Sequence, residues 1–268
     1  MDFQISERIF PTREDAIEAK AFMDLHRLAP ADLRDREQFE CLPISGGCAI
    51  SLPSAPVIGL NRVLGLGSIQ DVDTAYNWMR QKAGNRFLQL HIDAASDEVR
   101  RWVQTRGLSE HGNGWSKLTL KAPVTSLEPR GGVLTRKVRT EEAQLFGSLM
   151  CQGFNLPPVL MSLWAAIVGK DGWSCFFALD GETPVGSGAV YVAGKYAWLG
   201  GGTTLPEFRN RGVQKSLINS RINHGLACGV STFVVETEAP SMDKPNISYD
   251  NLRKMRFEQA YDRKNFKL

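Results

Sequence analysis

A short basic segment with one glycine, Arg209–Lys215, has the composition of a site for phosphate groups. Its cations are Arg209, Arg211 and Lys215, and they flank Gly212. A strand-like apolar run precedes the segment, and an amphipathic, helix-like run follows it at once. The first turn of a helix has unpaired backbone N–H groups and a partial positive charge, and a glycine lets the backbone approach a ligand closely. The segment therefore predicts a diphosphate-binding loop at the start of a helix.

Two carboxylates, Glu236 and Glu238, follow the apolar pair Val234-Val235. Because side chains alternate along a strand, the two carboxylates share one face. A carboxylate in a cleft, with its pKa raised by burial, can remove a proton from a reacting amine. The pair fits two other interpretations as well: a relay through an ordered water, or a solvated strand end with no chemical role.

The segment from Arg209 to Gln214 resembles the Arg/Gln-x-x-Gly-x-Gly/Ala pyrophosphate loop of the GNAT superfamily of acyl-CoA-dependent N-acetyltransferases. The Thr-Leu-Pro-Glu run that starts at Thr204 resembles the end of that family's fourth strand, whose backbone pairs with the pantetheine arm. The resemblance implies that acetyl-CoA is the cosubstrate and that a backbone N–H near Leu205 meets the oxyanion. Gln214 departs from the pattern, which usually has Gly or Ala there, but its backbone N–H can still meet a phosphate. The residues assigned to the cosubstrate are Thr204, Leu205, Arg209, Asn210, Arg211, Gly212, Val213, Gln214, Lys215 and Asn251.

The segment from Ser248 to Phe257 resembles the C-terminal part of the same family, in which a helix carries a Tyr shortly before a Gly-Phe pair. In that family the Tyr protonates the departing CoA thiolate. Here Leu252 stands at the Tyr position and Arg256 at the Gly position. Tyr249 lies one helical turn earlier on nearly the same face, so it is the candidate acid. The other interpretation is that Tyr249 only packs at the domain edge.

The elements expected around these residues alternate between strands and helices. Residues 133–268 predict the order β-α-α-β-β-β-α-β-α-β, which is also the GNAT order. The N-terminal half predicts a blurred copy, with helices at 12–28, 73–83 and 96–105, strands at 48–52, 57–64 and 87–92, and a hairpin at 108–120. The fold class is therefore predicted as mixed α/β, with two tandem GNAT-like domains that arose by duplication.

The segment 121–132, rich in proline and glycine, separates the two patterns. We expect a degenerate GNAT-like domain at 1–126 and the catalytic domain at 127–268, each folding on its own. The N-terminal copy has a literal match to the phosphate loop at Arg62-Val-Leu-Gly-Leu-Gly. Asp71 and Asp73 crowd the next helix start and would repel a diphosphate. One acetyl-CoA per chain is therefore expected, in the C-terminal half.

Composition excludes several classes of protein. The chain is 43% hydrophobic and 23% charged, which is typical of a globular protein. No apolar run is long enough to span a membrane and no signal segment opens the chain, so the expected location is the cytoplasm, without a membrane partner. The dispersed histidines and cysteines predict no metal site. A net charge of +3, without basic and aromatic residues interleaved, argues against nucleic acid as a partner.

The resemblance implies direct acetyl transfer from acetyl-CoA to a primary amine, without a covalent enzyme intermediate. The acceptor is a small molecule or a peptide, and the fold does not choose between them. A homodimer is compatible with the sequence. The alternative is a non-catalytic acyl-CoA-binding or sensor protein that kept the phosphate loop and lost the acid, which Leu252 favours.

Overall fold

A single mixed sheet runs through the computed structural model, which describes residues 12–122 and 133–268. The strands in these ranges are β1 (Glu40–Ile44), β2 (Gly47–Ser51), β3 (Asn61–Leu64), β4 (Phe87–Leu90), β5 (Trp115–Lys121), β6 (Leu134–Lys137), β7 (Trp173–Asp180), β8 (Thr183–Ala193), β9 (Tyr196–Thr204), β10 (Thr232–Glu238) and β11 (Glu258–Lys267). Their order across the sheet is β1-β2-β3-β4-β11-β5-β10-β9-β8-β7-β6.

Helices cover both faces of this sheet. In the described ranges they are α1 (Arg13–Leu28), α2 (Ala31–Glu37), α3 (Ile69–Arg80), α4 (Asp97–Thr105), α5 (Ala143–Phe154), α6 (Met161–Ala165), α7 (Val213–Ala227) and α8 (Ile247–Lys254). Helices α1, α2, α5 and α6 share one hydrophobic core, on what we call the α1 face. Helices α7 and α8 pack on the opposite side, the α7 face, and α3 and α4 cover the same side of the N-terminal strands. Alternation on β5 shows the two faces, since Lys117 contacts Glu18 of α1 while Leu118 lies in the α7 core.

The two halves repeat one strand pattern, as the predicted duplication requires. Strands β1 to β3 are antiparallel neighbours and β3 pairs with β4 in parallel. Strands β7 to β9 are likewise antiparallel neighbours, and β9 pairs with β10 in parallel. Strand β3 thus holds the place in the first half that β9 holds in the second. The predicted fold class, a mixed α/β arrangement of two tandem GNAT-like units, is confirmed.

The halves also exchange their last strands. Strand β5 of the first half lies between β10 and β11, and β11 of the second half lies between β4 and β5. A half on its own would lose the partner of a central strand, which argues against separate folding. The expectation that each half folds on its own stays a prediction. The predicted domain ranges, 1–126 and 127–268, stay a prediction because their boundary lies outside the described residues.

Strand exchange explains the largest local error of the sequence prediction. A hairpin was expected over 108–120, but only Trp115–Lys121 forms a strand, and the expected first arm contributes one isolated bridge, Glu110 to Phe266. The place beside β5 is occupied by β11. Helix α3 also begins at Ile69 instead of 73, because the side chain of Ser68 caps it. Helix α2 and strand β1 were not predicted.

Candidate active site

A gap opens in the sheet where β9 and β10 diverge. The two strands pair over three residues of β10, from Thr232 to Val234. Beyond that point β10 stays paired with β5 as far as Glu238, while β9 continues beside β8 to Thr204. Strand β9 is bulged on this side, where the register shifts and Gly201 has a φ of 60°. The gap is therefore bounded by one regular strand and one irregular strand.

A cavity of about 540 Å³ occupies the gap, a size typical of small-molecule sites. Its wall combines residues from both faces of the sheet. From the α7 face come Gln214, Ile218, Arg221, Ser248 and Leu252. From the α1 face come Phe22, Arg62, Trp164, Trp198 and Glu236. One cavity thus connects the two faces through the sheet.

The start of α7 lies next to this gap, after β9 and a 3-10 turn at Pro206–Phe208. Gly212 is the N-cap of α7, has a φ of 86°, and offers no side-chain hydrogen bond to the first turn. The exposed side chains of Arg209, Arg211 and Lys215 make no salt bridge within the described part of the chain. A helix start that its own chain does not cap, surrounded by unpaired cations, is suited to bind an anion.

Known structures match this architecture over nearly the whole chain, although no family model and no curated protein matches the sequence. A GCN5-related N-acetyltransferase from Sphaerobacter thermophilus is 14% identical, with 97% of this chain and 94% of that chain covered and a TM-score of 0.62. One from Kribbella flavida is 12% identical, with 94% and 95% covered and a TM-score of 0.60. A tandem GNAT protein from the clavulanic acid biosynthesis pathway is 15% identical, with 94% and 95% covered and a TM-score of 0.54. The chain has the tandem GNAT fold.

The departure from the GNAT loop pattern at Gln214 has a structural role. Its side chain donates from Nε2 to Ser248 Oγ at 2.9 Å and accepts at Oε1 from Asn251 Nδ2 at 2.7 Å. These bonds fasten the first turn of α7 to α8. The predicted cosubstrate residue Asn251 therefore lies close to the loop, where it orients Gln214.

The α8 position at which the GNAT pattern has a tyrosine holds the apolar Leu252, and Tyr249, the predicted substitute acid, does not line the cavity. Leu252 lines the cavity, and so does Ser248 one turn earlier. Tyr249 is not among the lining residues, and its hydroxyl donates to Gln259 Oε1 on β11 at 2.6 Å. The α8 residue that lines the cavity and carries a hydroxyl is thus Ser248, which the family pattern did not single out and whose Oγ also accepts from Gln214.

The end of β9 carries the residues expected to contact the pantetheine arm. Thr204 and Leu205 are both half-buried at the edge of the gap. The backbone N–H of Leu205 itself donates to the carbonyl of Val185 at 3.0 Å, so this group is already bonded within the sheet. The predicted oxyanion donor near Leu205 stays a prediction. The β9 bulge at Gly201 interrupts the ladder with β8, and a bulge leaves a residue without its ladder bonds.

The two predicted carboxylates both line the cavity, in different surroundings. The side chain of Glu236 is 7% exposed and accepts from Arg62 at 2.7 Å and also from Arg263. Lys117 Nζ lies 3.5 Å from the same carboxylate. Glu238 is 41% exposed and pairs with Lys244 at 3.0 Å. Alternation placed both on one face, as predicted, but Glu236 is held by several cations.

Glu236 belongs to a buried ion cluster beneath α1. Its members are Asp15, Glu18, Arg62, Lys117, Glu236 and Arg263, which are three carboxylates and three cations with side chains at most 7% exposed. Arg62 binds Glu18 at 2.8 Å, and Arg263 binds Glu18 at 2.9 Å. Burial acts to raise the pKa of Glu18, but Arg263, Lys117 and Arg62 outweigh it and hold that pKa well below its usual range. The cluster joins α1 to strands of both halves, β3, β5, β10 and β11.

A buried arginine lines the cavity from the α7 face. Arg221 is 3% exposed and forms no salt bridge within the described residues. Its Nη1 donates to the backbone carbonyls of Ala189 at 3.2 Å and Gly200 at 3.1 Å. Burial lowers its pKa to about 10. A Cβ at Gly188 or at Gly202 would lie 3.1 Å from the guanidinium, so these glycines make room for a cation that braces the β9 bulge.

The corresponding loop of the N-terminal half is occupied by its own side chains. Arg62, the first residue of the matching motif, is fully buried in the ion cluster. Ser68 accepts from the N–H of Asp71 at 3.1 Å, and the Asp71 carboxylate accepts from Ser45 at 3.0 Å. Asp73, one turn into α3, accepts from Trp102 Nε1 at 2.9 Å and pairs with Arg106, the residue that follows α4. The helix start is therefore capped and acidic.

Two predicted absences concern metals and membranes. Within residues 12–122 and 133–268, no group of three or more His, Cys, Asp or Glu side chains is arranged to hold a metal ion. Over the same residues, no helix has the length and apolar character needed to cross a membrane.

Proposed function

We propose that this protein transfers the acetyl group of acetyl-CoA to a primary amine. The observation that carries the proposal is the cavity through the sheet, with the uncapped start of α7 beside it. A thioester can approach from the α7 face while an amine approaches from the α1 face, and the two meet in the gap. Holding two reactants in this geometry is a large part of such catalysis.

The cosubstrate is placed by the loop and by the end of β9. We assign its diphosphate to the backbone at Gly212, Val213 and Gln214, with Arg209, Arg211 and Lys215 supplying charge. Asn210 and Asn251 complete the polar surroundings of the loop. The pantetheine arm would pair with β9 near Thr204 and Leu205, which carries the thioester toward the gap. The residues present fit this ligand, since the N-cap residue of α7 is Gly212, which has no side chain to cover the first turn.

The chemical step joins the amine nitrogen to the thioester carbonyl carbon and then breaks the bond from that carbon to sulfur. A backbone N–H of the β9 bulge near Gly201 is our candidate donor to the oxyanion, and one such donor contributes about 3 kcal/mol to lowering the barrier. Arg221 fixes the bulge from behind through its bond to Gly200. The proton on the amine leaves to solvent or a base, and the thiolate takes a proton as CoA departs.

Of the two predicted base candidates we favour Glu238 over Glu236, and in place of the predicted acid Tyr249 we favour Ser248, which the sequence did not point to. Glu238 has one exposed cationic partner, whereas both oxygens of Glu236 already accept from buried cations. Glu238 can take the amine proton through a water at the cavity wall. Ser248 faces the cavity from α8 and can hydrogen-bond the thiolate.

The second candidate is a non-catalytic acyl-CoA-binding or sensor protein. It is favoured by Leu252, an apolar residue at the wall position where GNAT enzymes have a tyrosine, and by the engagement of Tyr249 with Gln259. Both candidates require acetyl-CoA binding, so binding alone does not separate them.

Release of free CoA thiol, measured over a panel of small amines and lysine peptides, separates the two candidates. Acetyl transfer requires amine-dependent thiol release with an acetylated product that mass spectrometry detects. Tight acetyl-CoA binding with no amine-dependent release over the whole panel would favour the sensor. Absence of acetyl-CoA binding would contradict both.

A further inference from the structure

We propose that the α1-face part of the cavity is an acceptor chamber for a primary amine carried on an aromatic ring, with the N-terminal half forming one wall. This proposal rests on the proposed function, since it names the acceptor class of the same site. It differs from it in depending on residues outside the cosubstrate loop.

Several aromatic side chains line the chamber. Phe22 and Trp198 contact each other with ring centroids 5.1 Å apart, and both line the cavity. Trp164 and Trp198 are each 6% exposed, and Trp115 and Leu156 extend the apolar wall. A flat ring among such side chains gains edge and stacking contacts in addition to apolar burial. The wall therefore selects for an aromatic or similarly bulky apolar body.

The N-terminal half also contributes the 3-10 turn Ile58–Leu60 to the wall of the cavity. Val57 and all three residues of this turn line the cavity. At its centre, a Cβ added to Gly59 would meet no atom within 4 Å. The degenerate half thus takes part in the site without holding a cosubstrate of its own.

The charges around the cavity do not suit a polycation. Its lining carboxylates are Glu236 and Glu238, and each is already paired with a cation of the chain. The lining also includes the cations Arg62 and Arg221. An amine with several positive charges would find no free carboxylate here for its further charges, whereas one amine on a neutral ring needs none.

The first test compares 2-phenylethylamine with spermidine as acceptors at saturating acetyl-CoA. We expect kcat/KM for 2-phenylethylamine to be at least about tenfold higher than for spermidine. The aromatic ring is buried in the chamber, whereas the additional positive charges of spermidine find no free carboxylate there. A preference for spermidine would overturn the chamber assignment while leaving acetyl transfer intact.

The second test fills the chamber from the N-terminal half. Gly59→Trp places a ring in open space, so we expect KM for 2-phenylethylamine to rise about tenfold or more, with acetyl-CoA affinity and melting temperature unchanged. Leu134→Trp, at a position on β6 that is 69% exposed and outside the cavity, is the matched control and should leave KM unchanged. Gly59→Leu is the smaller substitute if the tryptophan variant does not fold. An unchanged KM in a folded filled variant would show that the acceptor binds elsewhere.

Binding of the product, N-acetyl-2-phenylethylamine, separates the chamber from the reaction. Calorimetric titration of this compound should show binding to the unmodified protein and at least about tenfold weaker binding to Gly59→Trp. If that pattern holds while no amine is acetylated, the chamber stands and the proposed function fails. If amines are acetylated but the compound does not bind, the function stands and the chamber is wrong.

Discussion

The starts of α7 and α3 occupy equivalent places in two copies of one fold, and they differ in what fills them. Each helix follows the strand that pairs in parallel with the next one along, β9 for α7 and β3 for α3. Gly212 leaves the start of α7 without a side-chain cap. Ser68 caps α3, and Asp71 lies in its first turn. One helix start is therefore open to an external anion, and the other is already satisfied by its own chain.

The charges of the two loops also favour anion binding at α7 and oppose it at α3. The α7 loop has three exposed cations without carboxylate partners among the described residues, whereas the α3 loop has Asp71 and Asp73 at hand and its arginine, Arg62, buried in the ion cluster. A carboxylate near a helix start stabilises that helix through its dipole and at the same time excludes a second anion. The two halves thus share one strand pattern, while Arg62 of the first half's loop lies in the buried ion cluster.

The N-terminal half contributes residues elsewhere in the molecule. It provides Arg62 and Lys117 to the buried ion cluster, and it provides the turn around Gly59 to the wall of the cavity. The two halves therefore repeat the fold without repeating the site. Each variant below tests whether a residue acts in structure, in cosubstrate binding or in chemistry.

The largest effect is expected from Arg62→Met. Removing this cation leaves Glu18 and Glu236 buried with one partner fewer, and breaking a buried pair costs about 3–5 kcal/mol of unfolding free energy. Urea unfolding followed by circular dichroism measures the loss. Arg209→Met, at the exposed arginine that begins the other loop, is the control and should leave stability unchanged while weakening acetyl-CoA binding. The reverse pattern would mean that Arg62 serves a phosphate.

Gly212→Glu should weaken acetyl-CoA binding by about 100-fold. A carboxylate within about 4 Å of a phosphate costs on the order of 1–4 kcal/mol, and a side chain at a φ of 86° adds strain. Isothermal titration calorimetry measures the change. Gly67→Glu, in the loop before α3, is the matched control and should bind acetyl-CoA normally. Equal weakening by both variants would end the distinction between the loops.

Ser248→Ala should lower kcat by about 10- to 100-fold, because Ser248 is the α8 residue with a hydroxyl that lines the cavity. The variant also removes the bond that Gln214 donates to Ser248, so acetyl-CoA affinity should weaken as well, and kcat is therefore compared at saturating acetyl-CoA. Tyr249→Phe should change kcat less than about twofold, since its hydroxyl bonds to Gln259. Steady-state kinetics of thiol release compares the two. A larger loss of kcat in Tyr249→Phe than in Ser248→Ala would indicate that Tyr249, the residue favoured by sequence spacing, is the acid.

The smallest effect is expected from Ser68→Ala. Losing this N-cap should lower the free energy of unfolding by about 1 kcal/mol. The variant separates the effect of the cap from the effect of the carboxylates. Uncapping α3 leaves Asp71 and Asp73 in place, so it should create no new cosubstrate site. Thermal melting measures the stability, and calorimetry of the same variant should still report one class of acetyl-CoA site. A second class would show that the cap alone had closed the first half.

Sequence alone predicted the parts that depend on neighbouring residues. The run from Tyr196 to Lys215 contains its own strand, loop glycine and helix start, so local spacing was sufficient to predict it. The ion cluster was not predictable, because Glu18 meets Arg263 across 245 positions of the chain. The strand exchange was not predictable for a similar reason. The residues before Trp115 have hairpin spacing, but a strand from the far end of the chain pairs with β5 in place of a first hairpin arm.

Counting acetyl-CoA sites on the unmodified protein tests the central claim most directly. Titration of the full chain by isothermal calorimetry should give a stoichiometry of about one, because, of the two equivalent helix starts, α7 and α3, the α7 start alone combines an uncapped first turn with cations that have no carboxylate partner in the described residues. A stoichiometry of about two per chain would contradict the account, since it would require the capped, acidic start of α3 to bind the same anion.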